Sequence, residues 1–490
     1  MDSITKLQGK LHQAEEILQY VSKELEGYGE NKTVGENLNF SALKLRGEQY
    51  SFYEHPIKGK LFCDGYLALL IYVISLGGKK EEGWTLLYRI TAACDYQGEL
   101  QSLTTDAMTL TEERISELIR GICEAKLERT FAIDTMMISH HMGADDAQLQ
   151  FLAGLYELMT IDKNFLAEAI QFVKIFDSTF WDNLADKSRE WKFLTARDIA
   201  TYIGAYPADS LDEAAKLEHK RVVIKDITYT SKDVLNLDDW KADEILFLQC
   251  RFEKCGGIFS NDKIIKFSEC VFDGNVVRFA DSKEYRYLSI YRWTNDKYSS
   301  YKAFIQIRTA FFVNCKFKNF LDAVPMLHLG SGEIYSCNFE NCCQEYGGSM
   351  LMNMNNAKVT KNQFLSCKSS VYLCGGSTFS HNHSGHGCLI YSSNSIFEDN
   401  RFLNCINDVT SGEDYGGISC ILLLNKNSQC RKCFFENNFT SGKTYRSKFN
   451  GTTIGLTDSQ QYDNTGDFTV GNVNKISEKM FIVGDKQYDD

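Results

Sequence analysis

The apolar residues of this chain change their period once, and the change divides it. At the start, Ile4, Leu7, Leu11, Ala14, Leu18, Val21 and Leu25 recur at alternating steps of three and four, which places them on one stripe of a helix. Gly27, Gly29 and Asn31 then supply turn chemistry. The pattern predicts an amphipathic or coiled-coil helix over 1–27, which either pairs with a second subunit or partner helix or packs on its own domain. From Leu61 to about Phe180 the stripes of successive amphipathic helices follow: Tyr66 to Leu76, Trp84 to Cys94, Glu112 to Ala125, Thr130 to His141, Asp146 to Met159 and Phe165 to Phe176. The run Thr109-Leu110-Thr111-Glu112 has the form of a capping box and predicts a helix start near 110. Proline is absent between Pro56 and Pro207, consistent with uninterrupted helical ladders. A further helical stretch over 181–217 is broken by a Gly- and Pro-containing turn at 204–210.

After Lys220 the period shortens. Runs such as Arg221-Val222-Val223-Ile224 and Ile245-Leu246-Phe247-Leu248 are β-branched and aromatic, and a repeat takes over. Cys-x-Phe appears at 250–252, 270–272, 315–317 and 337–339, with variants at Asn362-Gln363-Phe364, Asn400-Arg401-Phe402 and Cys433-Phe434-Phe435. Successive phenylalanines are 20, 45, 22, 25, 38 and 33 residues apart. A period near 22 suits one turn of a parallel β-helix. Cys and Phe, two apart, point together into the core, and stacked repeats align Phe on Phe and Cys on Cys. An Asn after the Phe suits a left-handed corner. The interval of 45 is about two periods, which favours a full coil of degenerate sequence over a projecting loop.

The predicted fold is therefore multidomain α plus β: an all-α N-terminal half followed by a right-handed parallel β-helix. Its parts are a helix over 1–27, a helical domain over 55–215, a β-helix over 221–449, and a polar tail or cap over 450–490. The formal charge of −12 argues against broad attraction to nucleic-acid phosphates. The most apolar run, Tyr66 to Leu76, is about half the length of a membrane span and reads as a buried helix. The first twenty residues lack a secretory core. Fourteen of the seventeen cysteines fall within 250–433, so reduced thiols acting as small buried hydrophobes fit better than disulfides. The expected location is the cytoplasm, with no membrane partner.

Candidate chemistry is sparse. His381, His383 and His386 form the densest titratable group and are the candidate metal ligands, with a polar β-helix turn as their default reading. Tyr285, Tyr287, Tyr291, Arg292 and Trp293 combine the side chains enriched at interface anchors and are the candidate partner-binding face. Cys430 and Cys433 make a single CxxC without a second pair. His140-His141 lies beside Asp145-Asp146, and Glu398, Asp399, Glu413 and Asp414 are the scattered carboxylates a glycosidase or lyase would need to gather. No residue is assigned a catalytic or cofactor-binding role.

The stretch FAIDTMMISHHMGADDAQLQFLAGLYELMTIDKNFLAEAIQFVKIF resembles the tellurite-resistance TerB-like helical family, and Leu61 to Arg89 resembles that fold's earlier helix pair; together they cover about 61–180. The family's acidic, metal-associated turns correspond to 75–80 and 140–146 here, where glycines persist but most carboxylates are missing. Residues from about 225 to 445 resemble right-handed β-helix repeat proteins, which include polysaccharide lyases and hydrolases as well as binding and structural proteins. The absence of catalytic groupings and the presence of two interaction-type architectures point to a non-enzymatic adaptor or sensor with a protein partner or self-association through the N-terminal helix, and the TerB-like resemblance implies a bacterial stress or phage-defence system. A β-helix carbohydrate-active lyase or hydrolase is the alternative, and a nucleic-acid-binding subunit using 278–302 a third.

Overall fold

The computed structural model describes residues 38–48, 54–57, 59–144, 146–176, 180–231, 233–274, 303–322, 326–344, 351–371, 387–409, 418–442 and 448–472. The stripe over 1–27 lies outside them. The chain divides into two units: Met1–Asn183 with Trp191–Pro207, and Leu184–Glu190 with Ala208–Asp490.

The first unit is helical. Its helices are α1 (Phe40–Glu48), α2 (Lys60–Leu76), α3 (Lys80–Ala93), α4 (Leu103–Met108), α5 (Glu112–Glu124), α6 (Glu128–Met142), α7 (Asp146–Leu158) and α8 (Lys163–Ile175). Beyond α9 (Leu184–Lys187), which belongs to the second unit, α10 (Ala196–Ile203) completes it. Leu67, Leu69, Leu70, Ile71, Val73 and Ile74 of α2 are all fully buried, as expected of a helix apolar on every side. Among the described residues no helix is long and apolar enough to cross a membrane.

Local chemistry explains the boundaries. Thr111, not Thr109, caps α5: its Oγ1 accepts the Arg114 N–H at 3.3 Å, while the Thr109 hydroxyl donates back to Thr105 O at 3.0 Å. The full capping box is at Thr195 and Asp198, opening α10. Asp162 Oδ1 accepts from Asn164 N and Phe165 N at 2.8 and 3.0 Å and starts α8. Gly143, at φ 68°, ends α6 in the left-handed conformation that a glycine adopts without strain.

The second unit is built on parallel strands, in a β-helix-like arrangement of three sheets with sixteen, nine and five strands among the described residues. From Lys316 onward the chain visits them in rotation. Lys316–Lys318 lies in the nine-stranded sheet, Leu321–Asp322 in the five-stranded, Leu327–Tyr335 in the sixteen-stranded, and Asn338–Glu340 is back in the nine-stranded. Ala208 and Ala214, the latter on α11 (Leu211–Lys216), belong to this unit's core.

The repeat residues stand one above another. Phe252, Phe272, Phe317, Phe339, Phe364, Phe402 and Phe435 are register partners in the nine-stranded sheet. Their rings stack at 5.0, 4.6, 4.5, 4.7, 4.8 and 4.9 Å, within 12° of parallel. That rise matches the ~4.7–4.9 Å between hydrogen-bonded strands, so the strand ladder sets the ring spacing. Except at Phe272, which Gly274 follows without a positive φ, each x-Phe-x strand sits between two left-handed corners. One lies three residues before the Phe, as at Glu269, Asn314, Ser336 and Asp399, and the other two residues after it, as at Asn319, Asn341, Asn404 and Asn437. The corner role expected for Asn holds at the second position.

The long interval is resolved differently from expectation. Phe317 pairs directly with Phe272 and stacks on it at 4.6 Å, so no further strand of this sheet intervenes. Sequence length alone had suggested an extra coil; register shows an insertion. The wide intervals after Phe364 and Phe402 are insertions for the same reason.

The exchange of Cys for Asn two residues before the Phe also has a physical basis. The thiols of Cys270, Cys315 and Cys337 donate to the carbonyls of Phe247, Phe267 and Phe312 at 3.3, 3.5 and 3.4 Å. Asn362 and Asn400 make the same bond through Nδ2, to Ile334 O and Val359 O, each at 2.8 Å. Asn adds an acceptor: Asn362 Oδ1 takes the Cys337 N–H at 2.7 Å, and Asn400 Oδ1 takes the Asn362 N–H at 3.0 Å. Cys and Asn are interchangeable here because both satisfy one buried carbonyl.

Candidate functional site

In the helical unit, a buried carboxylate fixes the helix that carries the candidate site. Asp134, in the middle of α6, is fully buried. Its Oδ2 accepts from Tyr66 OH of α2 at 2.8 Å and contacts His55 Nε2 at 3.0 Å, and its Oδ1 accepts from Tyr202 OH of α10 at 2.8 Å. Ile57 N–H points at His55 Nδ1 at 3.4 Å, which leaves Nε2 to carry the proton toward Asp134. Burial, and then the Asp134 charge, push the Tyr66 and Tyr202 phenols well above their ordinary range. A buried charge is tolerated only when donors surround it, and here three donors reach it from distant parts of the sequence.

The other side of α6 opens onto a groove of about 480 Å³ between α6, α7 and α8. Each helix contributes one stripe at helical spacing: Met136, Ser139, His140 and Gly143 from α6; Leu149, Leu152, Ala153 and Tyr156 from α7; Leu166, Ile170, Val173 and Lys174 from α8. Leu149 and Ile170 leave 51% and 42% of their surface in water, so these stripes present apolar surface rather than closing a core. Tyr156 ties the groove floor to the region of the carboxylate: its hydroxyl meets Thr135 Oγ1 at 2.7 Å, one residue from Asp134.

The polar groups lining the groove are Ser139 and His140 of α6, Lys174 of α8 and the Tyr156 hydroxyl, the last already bonded to Thr135. Ser139 is 4% exposed, and its Oγ has no hydrogen-bond partner. His140 has its imidazole pushed below the usual histidine range, first by burial and then by His141 and Lys174. His141 Nδ1 is taken up by Met137 O at 2.9 Å. The volume falls within the ~300–1,000 Å³ of small-molecule sites, and an apolar lining with a few convergent polar groups is their usual composition.

Other positions singled out from the sequence fare differently. His381, His383 and His386 lie outside the described residues, as do Tyr285, Tyr287, Tyr291, Arg292 and Trp293. Among the described residues no cluster of three or more His, Cys, Asp or Glu is placed to hold a metal. Cys430 and Cys433 are both fully buried in the repeat core, and the Cys433 thiol donates to Arg431 O at 3.4 Å. Every described cysteine is a free thiol; Cys342 faces the core while its neighbour Cys343 is half-buried.

Of the candidate carboxylates, Glu413 and Asp414 lie outside the described residues, while Glu398 and Asp399 are engaged in structure. Glu398 accepts from Arg431 Nη2 at 2.8 Å, and that guanidinium also reaches Tyr462 OH at 3.1 Å; the Arg431 bond holds the Glu398 carboxyl below its usual range. Asp399 occupies a left-handed corner. Two neighbouring carboxylates that the sequence did not announce are Asp238 and Asp262, where the Asp262 N–H donates to Asp238 Oδ1 at 3.3 Å. Glycosidases hold theirs about 5–9.5 Å apart. Asp238 instead accepts from Ser260 Oγ and Asn261 N, both at 2.9 Å, closing the register break at Ser260–Ile264.

No protein-family model matches the chain, and no curated protein or solved structure proved similar to it.

Proposed function

We propose that this chain is a non-enzymatic binding protein of the adaptor or sensor type, in which the helical unit receives a ligand or partner and the strand unit is a rigid mount. The observation that carries this reading is the groove between α6, α7 and α8, with exposed apolar walls on a framework pinned by Asp134. Exposed apolar surface with a few polar groups marks a binding site more often than a scaffold requirement. The strand unit supports the second half of the reading, since its in-register Phe ladder repeats one interaction at each step. Its rotation through three parallel sheets favours a closed right-handed β-helix as the finer description.

The buried free thiols favour a reducing compartment such as the cytoplasm. The TerB-like helical pattern gives a bacterial stress or defence system as the proposed setting. A test follows from Ala153, which is exposed on the groove wall. Ala153→Trp fills the groove without disturbing the core. Tagged full-length protein from its host is expected to carry a stoichiometric bound molecule or partner that Ala153→Trp strips away. The same bound species at the same yield on both proteins contradicts the proposal.

A further inference from the structure

We infer that the groove takes a single-chain amphiphile with an anionic head, its carboxylate placed at Ser139 and Lys174 and its alkyl chain laid along Leu149, Leu152 and Ile170. This names the ligand class of the site proposed above and rests on that reading.

The apolar part of the ligand follows from exposure. Leu149 and Ile170 stand half open to water on facing helices, and an alkyl chain between them removes apolar area from water on both sides. The polar part follows from Ser139. A serine or threonine within a helix ordinarily returns its hydroxyl to a carbonyl one turn back, as Thr135 Oγ1 does to Phe131 O at 2.7 Å. Ser139 is 4% exposed, and its Oγ makes no such bond. A buried hydroxyl without a partner is costly, and an acceptor entering the groove removes that cost.

The sign of the head group follows from charge. Lys174 of α8 and His140 of α6 line the same groove, and His140 feels the Lys174 charge. A cationic head there adds repulsion. A neutral head makes no use of the Lys174 charge. A carboxylate accepts from Ser139 and offsets Lys174 together. An apolar protein helix would fill the walls but requires no anion at Ser139, so head-group dependence separates the two occupants.

The test is calorimetric titration of the full chain with dodecanoate below its micelle threshold, with dodecanol and dodecylammonium in parallel. Dodecanoate is expected to bind at one site and more tightly than either analogue. Lys174→Met should weaken dodecanoate about tenfold, equivalent to one charge-assisted bond, and leave dodecanol unchanged. Ser139→Ala should weaken dodecanoate about threefold while raising the melting temperature of the unliganded protein, since it removes a buried hydroxyl without a partner and gains helix propensity. Dodecanol binding as tightly as dodecanoate, or dodecanoate affinity unmoved by Lys174→Met, overturns the inference. If none of the three probes binds while Ala153→Trp still strips the co-purifying species, the amphiphile is wrong and the groove stands as a protein-docking surface. If Ala153→Trp also has no effect, both readings fall.

Discussion

The two units satisfy their buried polar atoms by opposite means. In the helical unit one carboxylate, Asp134, gathers His55, Tyr66 and Tyr202 at a single point. In the strand unit the same kind of bond is made again at each repeat, from Cys270, Cys315 and Cys337 and then from Asn362 and Asn400, each to one carbonyl of the neighbouring strand. A hub concentrates its effect in a residue nothing can replace. A ladder spreads it over positions that tolerate exchange. The groove uses other positions of α6, Met136, Ser139 and His140, which take no part in the hub.

The comparison breaks most visibly at the centre of the ladder. Phe339 stacks on Phe317 and Phe364 at 4.5 and 4.7 Å and is fully buried. Phe339→Ala should cost the strand unit about 4 kcal/mol, the range of large aromatic truncations. Phe435, stacked on Phe402 on one side and only tilted against Phe468 on the other, should cost less. Urea unfolding followed by amide exchange in each unit measures both, and equal losses at the two positions would argue against a nearest-neighbour ladder.

Asp134→Ala comes next, at about 3 kcal/mol in the helical unit, because it leaves three buried donors without their acceptor. Tyr66→Phe removes one donor and should cost about 1–1.5 kcal/mol. The double variant should cost less than the sum, since the residues act as one network. An additive result would mean that the hub is three independent bonds.

The hub also predicts a pH dependence. The Tyr66 and Tyr202 phenols are raised above the ordinary value of about 10. Stability linked to them is therefore fully present below pH ~10 and is lost as pH rises through their folded values. Phenolate absorbance should show these tyrosines ionising only with unfolding of the helical unit, whereas ionisation before unfolding would place them in water.

The smallest effect belongs to the corners. Asn341 sits at φ 51°, where a residue without a local polar side chain is strained. Asn341→Ala should cost about 1 kcal/mol and Asn341→Gly much less, measured by thermal unfolding. A reversed order would place the role of Asn341 in its side-chain contacts rather than its backbone.

The same contrast explains what could be read in the sequence. The ladder was legible because its residues recur: Cys, x, Phe and a corner Asn announce both inward facing and stacking. The helices from α2 to α8 were legible from their stripes, apart from α4, whose six residues are too short to show a period. Length misled at the interval between Phe272 and Phe317, because an insertion and an additional coil can have the same number of residues. Only register separates them.

The hub left no signal, since His55, Tyr66, Asp134 and Tyr202 belong to no common spacing. The groove was half visible. The spacing over 146–159 showed an amphipathic helix, and nothing in it could reveal that Leu149 stays exposed. Ser139 carries no signal at all, because a missing hydrogen bond is a property of packing.

The central claim is that binding belongs to the helical groove and rigidity to the strand ladder. It is tested most directly by placing one occluding substitution in each unit of the full-length protein: Ala153→Trp in the groove, and Phe439→Glu at the most exposed aromatic among the strand unit's described residues, 57% accessible. Quantitative mass spectrometry of the material that co-purifies from the host then compares the two. The account predicts loss of the bound species with Ala153→Trp and retention with Phe439→Glu. Retention with Ala153→Trp and loss with Phe439→Glu would contradict it and move the recognition surface to the parallel strands.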